Sequence, residues 1–224
     1  VTDVTYLGFV NGTRAALELM VPRDRGVIIQ VGSALAYRSI PLQSAYCGAK
    51  AAIRGFTDAV RTELMHENSR VQLSMVQMPG LNTPQFDWAR NKFAWSMRPV
   101  PPVFEPEVAA SAIFKVAQKP VRELWVGSST IQSIVGQFLF PGFLDRLMVK
   151  KAWEGQMTDD LNDRDRQDYL DQPVNDLHKI HGRFTPEAKN RATAITSGVP
   201  GKVLLGSLAV AGVVLTRLMT RRKR

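Results

Sequence analysis

Two short apolar runs on either side of a long helical pattern constrain the fold of this chain more than any other feature. Residues 26–31 and 71–78 are mainly apolar and are preceded by polar or turn residues, which is typical of buried strands. Between them, apolar side chains recur at helical spacing over residues 44–67. The alternation of strand and helix predicts an α/β fold.

The same periodicities organise the rest of the chain. They predict helices over residues 3–20 and 106–118 and a further strand over residues 122–127, which closes the sheet. Residues 128–152 are apolar, and a Pro-Gly pair within them predicts a break between two helices. Residues 153–200 are polar with little periodicity, which predicts a loosely ordered linker.

Three polar side chains carry the candidate chemistry. Tyr46 and Lys50 lie four positions apart, so they share one face of the predicted helix, and the ammonium can lie close to the phenol. A nearby cation favours phenolate and lowers a pKa that starts near 10. Ser33 follows a predicted strand thirteen positions before Tyr46, where it could hold a substrate carbonyl or hydroxyl against the phenol. Without this setting, Tyr46 and Lys50 would be an ordinary surface pair.

The setting resembles the short-chain dehydrogenase/reductase family. That family places a serine after a strand, then a Tyr-x-x-x-Lys helix interleaved with small residues, as Ser33, Tyr46 and Lys50 stand here. The next strand ends in Pro79-Gly80 and Thr83, as in the family. The resemblance covers residues 1–126. It implies a Rossmann-like doubly wound parallel sheet, truncated at its N-terminus and followed by a helical C-terminal tail.

The resemblance implies a catalytic role for four residues. Tyr46 would give or take a proton, Lys50 would lower the phenol's pKa, and Ser33 would orient the substrate oxygen. Family members usually place an asparagine early in the first helix, in a proton relay. The aligned residue here is Thr5, which offers one hydroxyl, so the relay would use Thr5 or the nearby Asn11.

The resemblance also implies an NAD or NADP cofactor, held by Tyr46, Lys50, Pro79, Gly80 and Thr83. The Gly-rich turn that seats the cofactor pyrophosphate is missing from the sequence. The chain is therefore expected to be the C-terminal part of a longer protein and to be inactive alone. The choice between NAD and NADP depends on a charge after the second strand, which is also missing.

The loop from Ser33 to Gln43 and residues 83–96, the lid in the family, are expected to enclose the substrate. The residues predicted to line this pocket are Ala34, Leu35, Tyr37, Leu42, Phe86 and Trp88. The lid is rich in aromatic side chains, which indicates a bulky apolar alcohol or ketone. The alternative is that these aromatics only pack the lid onto the core.

The tail predicts contact with a membrane surface. Residues 203–216 carry no charge but would span only about 21 Å as a helix, short of a hydrocarbon core of about 30 Å. The last eight residues hold five of the basic side chains behind the net charge of +9. Residues 201–224 are therefore expected to lie on anionic lipid at the cytoplasmic face. The alternative is a helix that docks on the enzyme or on a partner subunit.

Other classes of function find less support. No aromatic-rich basic stripe accompanies the positive charge, so nucleic-acid binding is not expected. His178 and His181 have no matching cysteines or carboxylate cluster in the sequence, so no metal site is predicted. The resemblance implies a homodimer or a tetramer. The three functions in competition are an oxidoreductase, a non-redox epimerase or dehydratase of the same fold, and a membrane adaptor with a vestigial site.

Overall fold

The computed structural model describes residues 1–175 and 178–198. Its helices are α1 (Gly8–Met20), α2 (Ser44–His66), α3 (Gln85–Trp88), α4 (Pro106–Gln118), α5 (Ser128–Leu139) and α6 (Pro141–Glu154), and a π-helical turn, Asp3–Leu7, precedes α1. Its strands are β1 (Val27–Ser33), β2 (Gln72–Met78), β3 (Gly80–Leu81), β4 (Trp95–Met97), β5 (Val103–Phe104), β6 (Glu123–Val126), β7 (Met157–Leu161) and β8 (Ala194–Thr196). The helix predicted over residues 201–224 lies outside the described residues.

The main sheet has the order β1-β2-β6-β8, and β1, β2 and β6 are parallel. The register of β1 on β2 runs from Val27 opposite Gln72 to Ser33 opposite Met78. The chain returns through α2 between β1 and β2 and through α4 between β2 and β6, as parallel strands require. The predicted α/β fold is confirmed.

Helices cover both faces of the sheet because side chains of β2 alternate between them. Leu73 packs with Val60 and Leu64 of α2. Val76 and Met78, an odd number of positions further along, pack with α4. The carboxyl ends of β1 and β2 lie at the same edge of the sheet, next to the start of α2.

The sheet does not end at the strand predicted over residues 122–127. β8, from the segment predicted to be a loose linker, pairs antiparallel with β6 and places Ile195 opposite Trp125. A strand edge carries backbone donors and acceptors that need partners, and β8 supplies them. Its three residues are too short to show a strand period in the sequence. β7, from the same segment, pairs antiparallel with β4, so the described part of this segment contributes two strands.

The break predicted within residues 128–152 falls between α5 and α6. Pro141 begins α6, where its missing N–H costs nothing because the first turn of a helix has unpaired donors anyway. The junction exposes four large apolar side chains, which we call the aromatic corner: Phe138, Leu139, Phe140 and Phe143. None of the helices in the described part of the chain combines the length and apolarity needed to cross a membrane.

Candidate active site

Ser33 and Tyr46 meet where β1 ends and α2 begins. Ser33 is the last residue of β1 and is buried, and its Oγ accepts a hydrogen bond from the Leu35 N–H at 3.2 Å. That bond caps a single 3-10 turn, after which the chain turns back into α2. The Ser33 hydroxyl lies near the Tyr46 phenol and acts to lower its pKa. The two groups predicted to act on one substrate oxygen are therefore neighbours.

The Tyr46 phenol is held in its protonated form. Burial raises its pKa, and the nearby Ser33 hydroxyl opposes that effect without reversing it. The sequence predicted the opposite direction, with Lys50 lowering the pKa. In the structure the Lys50 Nζ lies 5.7 Å from the centroid of the tyrosine ring, and the desolvation of the phenol dominates. Spacing along a helix brought the two side chains together but did not show how dry their surroundings are.

Lys50 is a buried ammonium with one backbone partner among the described residues. Its Nζ donates to the Val31 carbonyl at 2.9 Å and lies 5.0 Å from the centroid of the Phe9 ring. Burial lowers its pKa to about 8. An ammonium has three protons to donate, so it retains capacity for ribose hydroxyls. Together with the Tyr46 phenol, this set of donors fits a nicotinamide ribose.

Replacing Lys50 by Met is expected to change how stability depends on pH. The folded-state pKa of Lys50, about 8, lies below the ordinary value of 10.5, so the unfolded chain holds more protons between these pH values. The penalty of the buried charge is full below about pH 8 and is relieved as the pH rises. The free energy of unfolding of the unsubstituted protein should therefore rise relative to that of Lys50→Met, with a slope of at most about 1.4 kcal/mol per pH unit.

Urea denaturation across this pH range measures the effect, and Lys115→Met, at an exposed position of α4, is the matched control. Parallel pH profiles for the unsubstituted protein and Lys50→Met would contradict the buried ammonium.

Thr5 lies on the π-helical turn that precedes α1. It is half-buried and one helical turn before Phe9, whose ring contacts the Lys50 ammonium. Asn11, the alternative relay residue, is exposed on α1. The structure therefore places Thr5, rather than Asn11, on the buried side of this helix.

The loop after β2 contains the residues predicted to meet the nicotinamide. Gly80 belongs to β3, which pairs in parallel with β5. A Cβ on Gly80 would lie 2.9 Å from the Val100 carbonyl oxygen, so the packing of the loop on its own neighbour already requires glycine. The Pro79 ring packs so close to Gly127 that a Cβ on that glycine would lie 3.2 Å from Pro79 Cβ. Thr83 is half-buried at the end of the loop. The packing of the loop therefore explains why position 80 is glycine, without reference to a cofactor.

Asn82 anchors this loop and was missed by the sequence analysis. Its side chain is fully buried, and its Nδ2 donates to Glu105 Oε2 and to Thr185 Oγ1, each at 2.9 Å. Its Oδ1 accepts from the Phe184 N–H at 3.0 Å, and its carbonyl accepts from the Gly182 N–H at 3.1 Å. Loop asparagines commonly bond their own neighbours, whereas these partners are up to 103 positions away, so no local signal marks the residue.

The lid is fastened by the segment that follows α6. The Arg166 guanidinium donates to the carbonyls of Phe86, Asp87 and Ala89, and so satisfies the C-terminal end of the short helix α3. The Phe86 ring meets the Phe184 ring edge-on, with 6.1 Å between centroids. For Phe86, the structure favours packing of the lid over contact with a substrate.

Replacing Arg166 by Met is expected to loosen the lid. Each lost hydrogen bond from a charged donor weakens the contact by about 1.5–3 kcal/mol in a buried setting, and by less in this partly exposed one. Tryptic cleavage at Arg90 and Lys92 should accelerate by about tenfold, since local opening exposes both bonds to protease. Arg164→Met, at an exposed position nearby, should leave the cleavage rate unchanged. Equal rates for both variants would show that Arg166 does not fasten the lid.

Tyr37 does not present its hydroxyl to a pocket. That hydroxyl donates to the Glu123 carboxylate of β6, with distances of 2.9 and 2.8 Å to its two oxygens. Glu123 is buried and also accepts from Gln77 Nε2, while the Arg54 guanidinium lies 4.3 Å from the centroid of the Tyr37 ring. Burial and the neighbouring carboxylate raise the pKa of Tyr37. The residue ties the loop after β1 to the sheet, and its place among the pocket residues stays a prediction.

The other predicted pocket residues are distributed along the same loop and the lid. Ala34 and Leu35 form the 3-10 turn directly after Ser33 and are half-buried. Leu42 is exposed and adopts a left-handed φ of 67°, two positions before α2. Trp88 is half-buried at the end of α3.

Two polar features lie away from Tyr46. One is a cleft of about 330 Å³ between the lid and the segment that fastens it, lined by Arg90, Asn91, Lys92, Asp163, Arg164, Arg166 and Asp168. The other is a cluster in which His181 Nε2 lies 2.7 Å from Glu107 Oε1, with the Glu105 carboxylate beside them. The sequence did not predict this cluster. Both carboxylates lie at the N-terminus of α4, where the helix dipole stabilises negative charge and accounts for the cluster.

Comparison with known proteins yields one consistent family. The sequence model described as short chain dehydrogenase matches residues 1–92. An uncharacterized oxidoreductase, YxnA, of Bacillus subtilis is 29% identical over 220 residues, which cover 95% of this chain and 59% of the relative. Dehydrogenase/reductase SDR family member 7 of Homo sapiens is 44% identical over 62 residues, 28% of this chain and 18% of the relative. The chain thus spans about three fifths of YxnA and less of the human protein.

Among solved structures, a short-chain dehydrogenase from Burkholderia cenocepacia in complex with NADP superposes with a TM-score of 0.53 at 23% identity. The superposition covers 66% of this chain and 57% of that chain. At this identity the similarity concerns the fold, and it matches the sheet and helices described above.

Proposed function

Because the chain belongs to the short-chain dehydrogenase/reductase family, we propose that the protein it forms part of is an NAD(P)-dependent oxidoreductase that interconverts an apolar alcohol and the corresponding ketone or aldehyde. The observation that carries this proposal is the placement of the Ser33 hydroxyl at the end of β1 beside the Tyr46 phenol of α2, with the buried ammonium of Lys50 one helical turn further along.

In the direction of reduction, the chemistry divides between cofactor and protein. The nicotinamide, when bound, supplies a hydride to the carbonyl carbon of the substrate. The protonated Tyr46 phenol donates its proton to the carbonyl oxygen, which becomes the hydroxyl of the product. The Ser33 hydroxyl donates a second hydrogen bond to that oxygen and holds it against the phenol. The Lys50 ammonium would bind the ribose hydroxyls of the cofactor, and Thr83 would contact its nicotinamide end.

The apolar class of substrate rests on the lid. The Phe86 ring already packs against the Phe184 ring. Trp88, in contrast, is half-buried, and Phe93 and Trp95 keep more than a third of their surface exposed. Aromatic side chains contribute mainly by burying area, and these three retain area for a bulky apolar ligand.

We also propose that the protein associates with the cytoplasmic membrane surface through residues 201–224 and that it assembles as a homodimer or tetramer. The uncharged run and the basic end of the sequence support the first proposal. The pairing of long helices across subunits, which is usual in the family, supports the proposed homodimer or tetramer.

Separate titrations of the full-length protein with NADH and NADPH test the function. Intrinsic tryptophan fluorescence follows binding, since Trp88 and Trp125 lie in the folded domain. We expect saturable binding of one nucleotide, which would also identify the cofactor and justify a screen of apolar ketones. A folded protein that binds neither nucleotide would overturn the oxidoreductase and favour an adaptor with a vestigial site.

A further inference from the structure

The aromatic corner between α5 and α6 exposes large apolar side chains to water. Phe138, Leu139, Phe140 and Phe143 are 67%, 60%, 63% and 65% exposed. Single exposed apolar residues are common in folded proteins, but here four large ones lie within six positions of one helix junction. Phe138 also meets the Tyr37 ring edge-on, with 5.9 Å between centroids. Burying such a patch is favourable by about 25 cal/mol per Å², so the corner has a strong tendency to leave water.

The corner continues into a face of α6 that mixes aromatic and cationic side chains. Phe143, Arg146, Lys150 and Trp153 follow one another at intervals of three or four residues, and all four are exposed. This spacing places them on one side of the helix. Aromatic rings together with cations on one helix face are the composition of a surface that contacts the headgroups of a bilayer.

The charge of α6 is positive, because it carries three cations, Arg146, Lys150 and Lys151, and two acids, Asp145 and Glu154. One of the two acids, Asp145, is also paired within the protein. Asp145 binds the Arg38 guanidinium at 2.8 Å, and the same guanidinium donates to Gln137 of α5. Arg38 is buried against the inner side of the two helices. The pairing compensates Asp145 on the protein side, while Arg146 and Lys150 face solvent beside the exposed rings.

We propose that the aromatic corner and the adjoining cationic face of α6 dock on the surface of an anionic lipid bilayer. The rings enter the boundary between headgroups and acyl chains, and the cations bind the lipid phosphates and carboxylates. Charge complementarity selects this occupant over a second copy of the chain, because two copies would bring the same cations together. The surface is distinct from residues 201–224, so the protein would hold the membrane at two places.

Vesicle co-sedimentation of the full-length protein tests the docking. The vesicles contain phosphatidylcholine alone or phosphatidylcholine with about one third phosphatidylserine, since the expected attraction requires anionic lipid. The variant carries Leu139→Ser, Phe140→Ser and Phe143→Ser together and keeps Phe138, whose ring meets the Tyr37 ring at 5.9 Å. The matched control is Phe114→Ser, a phenylalanine of α4 that is 63% exposed. We expect at least about tenfold weaker binding to anionic vesicles for the triple variant and no change for the control.

Four further readouts keep the test decisive. Unchanged binding by the triple variant, with loss of binding only when residues 201–224 are removed, would overturn the proposal. A lower thermal midpoint for the triple variant than for Phe114→Ser would overturn it too, because the corner would then be packed within the protein. A dimer that dissociates in the triple variant would assign the corner to a subunit interface instead. Nucleotide binding in solution should be the same for all variants, which separates this test from that of the proposed function.

Discussion

Tyr46→Phe in the full-length protein is expected to lower kcat/KM for carbonyl reduction by about 10²–10⁴-fold. The substitution removes only the hydroxyl that gives its proton to the substrate oxygen. The ring, and with it the packing at the start of α2, is kept. Nucleotide affinity should fall far less than kcat/KM does, since the phenol is only one of the proposed ribose donors and Lys50 and the loop from Pro79 to Thr83 remain in place.

The matched control is Tyr169→Phe, which removes a phenolic hydroxyl from an exposed residue of the segment after α6. Steady-state kinetics of both variants, together with nucleotide titration, separates catalysis from binding. Full activity of Tyr46→Phe would exclude the phenol as the proton donor and would leave the redox mechanism without its acid. A protein that acted only as an adaptor would show the same partner binding with either tyrosine replaced.

Asn82→Ala is expected to lower the free energy of unfolding by about 2–4 kcal/mol, because it leaves several buried polar groups without their partner. Glu105 Oε2, the Thr185 hydroxyl and the Phe184 N–H all bond to the side chain of Asn82. The same change frees the loop from Pro79 to Thr83, so kcat should fall by more than nucleotide affinity does.

Two variants distinguish the hydrogen bonds of Asn82 from its volume. Asn82→Asp has nearly the same shape, but it replaces the amide N–H that donates to Glu105 with a carboxylate oxygen. Two carboxylates would then face each other, so this variant should be at least as unstable as Asn82→Ala at neutral pH. Asn190→Ala, at an exposed position, is the control for losing an amide. Chemical denaturation measures all three. Stability of Asn82→Asp equal to that of the unsubstituted protein would show that the amide donors contribute nothing.

The elements that position the site were predictable because they are periodic and local. The helix predicted over residues 44–67 is α2, Ser44–His66, and the strand predicted over 71–78 is β2, Gln72–Met78. Ser33 ends β1 and Tyr46 lies in the first turn of α2, as the strand–loop–helix pattern indicated. These features depend on apolar repeats and on spacing within about twenty residues, which a single sequence records directly.

What the sequence did not reveal depends on distant partners and on burial. Asn82 acquires its importance from residues about a hundred positions later, and Arg166 from backbone carbonyls about eighty positions earlier. β8 is defined by the edge of β6 rather than by its own three residues. The pKa of Tyr46 moved opposite to expectation because desolvation is a property of the packed environment.

The fastening of the lid has a consequence for the order in which the protein takes shape during synthesis. Arg90 of the lid pairs with Asp168, 78 positions later, and with Asp171. At about 5–20 residues per second, the ribosome completes the lid several seconds before it releases these acids. The growing chain can therefore assemble β1, α2 and β2 while its lid is still free. Nascent chains halted between residues 100 and 160 should be open over the site, and chaperones should reach the lid aromatics until translation has passed Asp171.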